Sequence, residues 1–206
     1  MLLRVSLHLV CTCITMCGVT MGGHRNGAST SRARWVKDSL PFLVLAGIVA
    51  VVVSLDQLSK AWVVAWLPEG HWWSPWSGEA AEIFRITHIT NSGAAFGLFP
   101  NQGSFFILIA IIVVIAIVLY YRRLPAEDWL IRVSLGLQLG GAIGNLIDRL
   151  RFGYVIDFID ISFWPVFNLA DASITVGVLL IIYQLWRMER AKAQSERARV
   201  DEEVRS

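Results

Sequence analysis

Apolar residues fall into four long runs along the chain, roughly 40 to 67, 103 to 121, 129 to 147 and 166 to 187, and the polar positions collect between them. About 20 apolar residues wound as a helix cross the roughly 30 Å of hydrocarbon in a bilayer, so four transmembrane helices are expected. The segment from Pro68 to Gln102 is about 35 residues long, too long for a bare connection. Within it, Glu82 to Thr90 is rich in strand-favouring residues and lacks Pro and Gly, which predicts a short strand on the membrane surface. The expected fold class is an all-α integral membrane protein, with four transmembrane helices and a small β-containing extracytoplasmic segment on the outer surface.

Composition removes the soluble alternative. Of 206 residues, 55% are hydrophobic and only 17% charged, with nine Trp, far too apolar for one soluble domain of this length. A net charge of +2 gives no reason to expect a nucleic acid partner. The placement of Lys and Arg says more. Arg25, Arg32, Arg34 and Lys37 precede the first span, Arg122 and Arg123 follow the second, and Arg187, Arg190 and Lys192 follow the fourth. Those regions are expected in the cytoplasm, with both termini inside. Trp66, Trp72, Trp73, Trp76 and Trp164 then fall on the outer side, and Trp35, Tyr120, Tyr121, Trp129 and Trp186 on the inner side, as two interfacial belts.

Cys11, Cys13 and Cys17 all lie in the first 20 residues, which leaves no metal-ligand or disulfide framework in the rest of the chain. That first segment looks like a signal peptide, but cleavage would strand Arg25 to Lys37 outside, against the charge rule. Translation from Met21, or a dispensable extension, is expected instead. The domain reading is an N-terminal cytoplasmic extension over 1 to 39, a transmembrane domain over 40 to 187, and a charged cytoplasmic tail over 188 to 206, either a solvated helix or disordered.

Several polar residues interrupt or border the apolar runs. Asp56 and Lys60 are four apart with the acid first, the favourable helical order for an ion pair, and a neutralising strut is the expected role. Gly136, Gly140 and Gly144 share one helix face and predict a packing seam. Asn145 and Arg149 share a face at the outer end of the third span, with Asp148 between them. Asn168 and Asp171 point the same way at the start of the fourth, Asp171 about 8 Å into the membrane if the helix starts at 166. Asp157 is expected in a short loop just before. The small-residue segment Asn91-Ser-Gly-Ala-Ala-Phe-Gly97 is either a turn into the second span or a strand edge for docking substrate.

Two carboxylates brought together near an interface cannot both ionise cheaply, so one keeps a proton. Asp157 and Asp171 would then divide into a general base for water and a general acid for a carbonyl oxygen, which permits peptide hydrolysis without a metal or cofactor. The four histidines show no His-Glu-x-x-His spacing. Ser59 and Lys60, adjacent on a helix, diverge, although Ser92 can still meet Lys60 in space. A small proton-coupled carrier, or a scaffold in which the acids merely pair with Arg149 and Lys60, is the competing reading. Carriers favour midplane sites in broken, repeated helices, whereas these polar groups cluster at one face without a repeat.

The blocks Asp56-Gln-x-Ser-Lys60, Asn91-Ser-Gly-Ala-Ala-Phe-Gly97, Gly140-Gly-Ala-Ile-Gly-Asn-Leu-Ile-Asp-Arg149, Gly153-Tyr-Val-Ile-Asp-Phe158 and Phe167-Asn-Leu-Ala-Asp171 together resemble the lipoprotein signal peptidases, or signal peptidase II. The resemblance implies an aspartic endopeptidase of the bacterial inner membrane that removes signal peptides from diacylglyceryl-modified prolipoproteins, on the amino side of the lipidated cysteine. It implies Asp157 and Asp171 as the catalytic pair, supported by Asn91, Asn145, Arg149, Asn168, Asp56 and Lys60. It further implies entry of the substrate from membrane lipid and inhibition by the cyclic peptide globomycin. A monomer without cofactor is expected. The long segment before the first span departs from the family pattern.

Overall fold

The computed structural model describes residues 31–93, 103–124 and 128–205. The expected late start at Met21 and the Ala94–Gly97 part of the small-residue block lie outside the described residues.

Four long helices carry the apolar runs: α1 (Ser31–Trp66), α3 (Gly103–Tyr121), α4 (Trp129–Phe152) and α5 (Leu169–Arg205). All four are long and apolar enough to cross a membrane. Three differ from the expected spans at their ends, because an apolar run marks where lipid is and not where helical hydrogen bonding stops. Helix α1 begins nine residues before Leu40, in a polar stretch. Helix α4 carries Asp148 and Arg149 in its last turns and stops at Gly153, whose left-handed φ of 83° lets its N–H cap the Arg149 carbonyl at 3.0 Å. Helix α5 starts at Leu169, later than expected, and continues as one polar helix through the charged tail.

Helix α4 is the hub, packed against α1, α3 and α5. The glycine seam explains how it approaches α1 so closely. A Cβ placed on Gly136, Gly140 or Gly144 would come within 2.9, 2.7 and 2.7 Å of Ile48, Val52 and Asp56, one α1 turn after another. Gly177 of α5 does the same against α4, where a Cβ would meet the Ser134 carbonyl at 2.7 Å. Leu45, Val113, Ile117, Tyr121, Leu135, Leu139 and Ile181 fill the space between the helices. Large apolar side chains such as Leu58, Leu108 and Leu179 point outward, as suits helices solvated by lipid.

A four-stranded antiparallel sheet covers one end of the bundle, in the order β1 (Trp72–Trp73), β2 (Phe84–Asn91), β3 (Val155–Ile161) and β4 (Trp164–Phe167), with a short helix α2 (Glu79–Ile83) leading into β2. The expected strand at Glu82–Thr90 is β2, shifted by two residues at its start. Asp157, expected in a loop, lies instead within β3. Val155 to Phe158 are all buried, so β3 lacks the alternation that marks a half-exposed strand. Strand β1 is tied to the bundle through aromatic rings, Trp62 stacking on Trp66 at 5.2 Å and Trp66 meeting Trp73 edge-on at 5.3 Å. Arg85 of β2 clips to Asp160 of β3 at 2.8 Å.

Candidate active site

Sheet register sets the first half of the site. Strands β2 and β3 pair with Asn91 opposite Val155, which makes Asp157 the diagonal neighbour of Asn91 on the same face. Asn91 Nδ2 accordingly donates to Asp157 Oδ2 at 2.9 Å, while Asn91 Oδ1 accepts the N–H of Gly93 at 3.0 Å.

The start of α5 supplies the second half. Asn168 caps the helix, its Oδ1 accepting the Asp171 N–H at 2.9 Å, and Asp171 Oδ2 returns the bond by accepting the Asn168 N–H at 3.4 Å. This is a reciprocal capping box with an acidic third residue. Asp171 therefore sits in the first turn of α5, not a full turn inside it, because residues 164–167 form β4.

Asn168 joins the halves. Its Nδ2 donates to Asp157 Oδ1 at 2.7 Å and lies 3.1 Å from Asn145 Oδ1. Asn145 Nδ2 in turn donates to Asp171 Oδ1 at 2.8 Å. Two carboxylates from different elements are thus held by three asparagines, two of which, Asn145 and Asn168, are bonded to one another. Asp157 is buried and Asp171 half-buried. Burial, and then the adjacent Asp171 charge, push the Asp157 carboxyl up to about 7 against the opposing pull of Asn91, Asn168 and Lys60.

Beneath this pair lies a charged floor. Lys60 Nζ contacts Asp56 Oδ2 at 2.8 Å, Asp148 Oδ2 at 2.8 Å and Asn145 Oδ1 at 3.1 Å. The expected Asp56–Lys60 strut forms, but it is a triad and not a pair. Asp56 also accepts the Ala170 N–H of α5 at 3.0 Å, and Asp148 accepts the Ile156 N–H of β3 at 3.3 Å. Gln57 bridges the two acids, its Nε2 lying 3.2 Å from Asp56 and 2.8 Å from Asp148. The floor therefore pins both elements that carry the carboxylate pair, one residue before Asp157 and one before Asp171. With its ammonium engaged by two acids and an amide, Lys60 leaves Ser92 without the base that a serine mechanism needs. Ser59 Oγ donates to the Asp56 carbonyl at 2.9 Å, an ordinary helical back-bond.

Seven of the eight candidate residues, Asn91, Asn145, Asp157, Asn168, Asp171, Asp56 and Lys60, form one connected network. Arg149 stands beside it. It lies close enough to feel the charges of Asp171, Asp157 and Asp148, yet makes no ion pair or side-chain hydrogen bond among the described residues. Its guanidinium packs over the Phe106 ring, 5.3 Å from the centroid. Gln57 and Phe106 are not among the sequence candidates, and Asp148 is named there without a role. Asp148 had a usable signal, since it falls three residues after Asn145 on the same side of α4. Among the described residues no cluster of His, Cys, Asp and Glu is arranged to hold a metal.

Four membrane-crossing helices with a partly buried, asparagine-braced carboxylate pair at the sheet end define the class: a multi-pass membrane protein with a polar site built where helix and sheet meet. The family model for signal peptidase (SPase) II matches residues 48–187. The lipoprotein signal peptidase of Moorella thermoacetica is 47% identical over 146 residues, covering 71% of this chain and 93% of that protein. The one from Halothermothrix orenii is 40% identical over 143 residues, covering 69% and 95%. A bacterial membrane enzyme solved by the in meso method superposes with a TM-score of 0.65 at 34% identity, covering 70% of this chain and 88% of its own. A second such structure gives 0.62 at 35% identity, covering 69% and 92%. The chain belongs to the signal peptidase II family. It is a peptidase of the bacterial membrane, and the carrier reading falls away.

Proposed function

We propose that this chain is an aspartic endopeptidase that removes signal peptides from diacylglyceryl-modified prolipoproteins, cleaving on the amino side of the lipidated cysteine. The observation that carries the mechanism is the Asn168 bridge, which holds Asp157 of β3 and the first turn of α5 in one hydrogen-bonded unit. Family membership supports the substrate, because the relatives are lipoprotein signal peptidases.

Burial and strand position make Asp157 the proton holder. Asp171 sits at the positive end of α5 and is half-exposed, which suits it to take a proton from water. In the first step Asp171 accepts the water proton, the hydroxyl oxygen bonds to the scissile carbonyl carbon, and Asp157 gives its proton to the carbonyl oxygen. In the second step Asp157 takes back a proton from one hydroxyl of the gem-diol, the C–N bond breaks, and Asp171 protonates the leaving amine of the lipidated cysteine. Both carboxyls return to their starting states. Asn145 and Asn91 keep the two groups oriented throughout.

The distribution of Lys and Arg supports an orientation with both termini cytoplasmic and the sheet end outside. A substrate held in membrane lipid by its signal helix and acyl chains would present its scissile bond at that depth. Globomycin would compete for the same cleft. The roles of the two acids are read from a pH–rate profile. Asn91→Ala removes a donor from Asp157 and is expected to move the basic limb upward, whereas Asn145→Ala removes a donor from Asp171 and moves the acidic limb upward. The reverse pattern reverses the roles.

A further inference from the structure

Arg149 is an anomaly in this site. A half-buried guanidinium carries five N–H donors, and leaving such a group without partners costs stability unless a ligand takes them. Four carboxylates surround the site, yet none of them pairs with Arg149 among the described residues; the group is held instead against the Phe106 ring. A ring face attracts a cation without using its N–H donors. It therefore fixes the guanidinium while leaving the hydrogen-bonding edge open.

We propose that Phe106 is a positioning residue: through its ring face it holds the Arg149 guanidinium away from the carboxylates, ready for the backbone carbonyl oxygens of an extended peptide substrate. This rests on the peptidase reading above. The backbone supplies the register. A Cβ at Gly103 would lie 3.0 Å from the Gly153 carbonyl, so the start of α3 is seated on the cap of α4. Phe106 is three residues into α3 from that contact, and Arg149 is four residues before Gly153, whose N–H bonds the Arg149 carbonyl. The two side chains meet one turn in from the seat. Phe105 packs edge-on against Phe106 at 5.5 Å and buttresses the ring. Neutral carbonyl oxygens are the fitting ligand, since the acids around Lys60 and Arg149 outnumber the bases and a further anion would be repelled.

Replacing Phe106 by a series of increasingly fluorinated phenylalanines weakens the ring's attraction for a cation at nearly constant volume, which separates this role from core packing. With a lipidated prolipoprotein as substrate, KM is expected to rise stepwise along the series, by about two- to thirtyfold at its end. The value of kcat and the melting midpoint in detergent should hold steady, and Phe106→Tyr should behave like the parent. In an Arg149→Gln background the same series should leave KM flat. A flat KM in the Arg149 enzyme, or an equal rise in the Arg149→Gln background, overturns the role of Phe106 alone. Failure of the unsubstituted chain to cleave the substrate overturns the peptidase reading beneath it.

Discussion

Asn168 and Asp171 cap one another: each side-chain oxygen accepts the other's backbone N–H, at 2.9 and 3.4 Å. The carboxylate proposed to activate water is thus also part of the helix cap that starts α5, and Asn168 spends its amide nitrogen on Asp157 at 2.7 Å. Cap and dyad can be separated by substitution. Asn168→Ala should cost about 0.5–2 kcal/mol of stability and abolish turnover. Asn168→Ser keeps a capping oxygen but has no reach to Asp157, so it should hold its melting midpoint near the parent while turnover still collapses. Thermal melts in detergent alongside a cleavage assay distinguish the two.

Asp157 also leaves a signature in stability. Its carboxyl is raised from 3.8 to about 7 in the folded chain, so the folded state holds that proton more tightly than the unfolded one. The contribution is present in full only below about pH 4 and is lost progressively as pH rises to about 7, with a limit on the order of 4 kcal/mol for a shift of this size. Asp157→Asn should therefore melt higher than the parent at pH 8, by a smaller margin at pH 5, and close to it only below about pH 4. Equal differences at the two pH values would argue against a raised carboxyl.

The shared lysine makes a third prediction. Lys60→Met leaves Asp56 and Asp148, both buried, without their cation, and should destabilise the chain by about 3–5 kcal/mol. Exchanging Asp56 and Lys60 should not rescue it. An isolated pair would tolerate the swap, but Asp56 also accepts the Ala170 N–H, and a lysine at 56 has no acceptor to offer. Expression and melting of the exchanged double variant decide the point.

Helix approach can be probed at Gly140. Any Cβ there would lie 2.7 Å from Val52 Cβ, a branched and stiff neighbour. Gly140→Ala should cost about 1–3 kcal/mol by overpacking, and Val52→Ala in the same chain should recover part of it. Thermal melts of the single and double variants measure both effects.

The spans are legible in the sequence because lipid demands long apolar runs. The start of α1 is not, since the helix runs back to Ser31 beyond the apolar run, and the charges of the tail leave helix and disorder both open until the fold shows a helix through Arg205. Strand β3 hides for a related reason: Val155 to Phe158 are buried throughout, and without alternation a buried strand reads as a connection. The carboxylate pair and its asparagines stand out because polar groups at the edge of an apolar run need compensation. Asp148 stands out for the same reason, but its partner does not, because sequence spacing alone does not bring it to Lys60 on another helix. Only the fold reveals that Asp148 serves Lys60 and that Arg149 turns to Phe106.

Purified Asp157→Asn and Asp171→Asn variants, each incubated with a diacylglyceryl-modified prolipoprotein and followed by gel mobility, test the dyad most directly. Both should fold, bind substrate and leave it unprocessed while the parent chain converts it to the mature form. Processing by either variant at close to the parent rate would contradict the two-carboxylate mechanism.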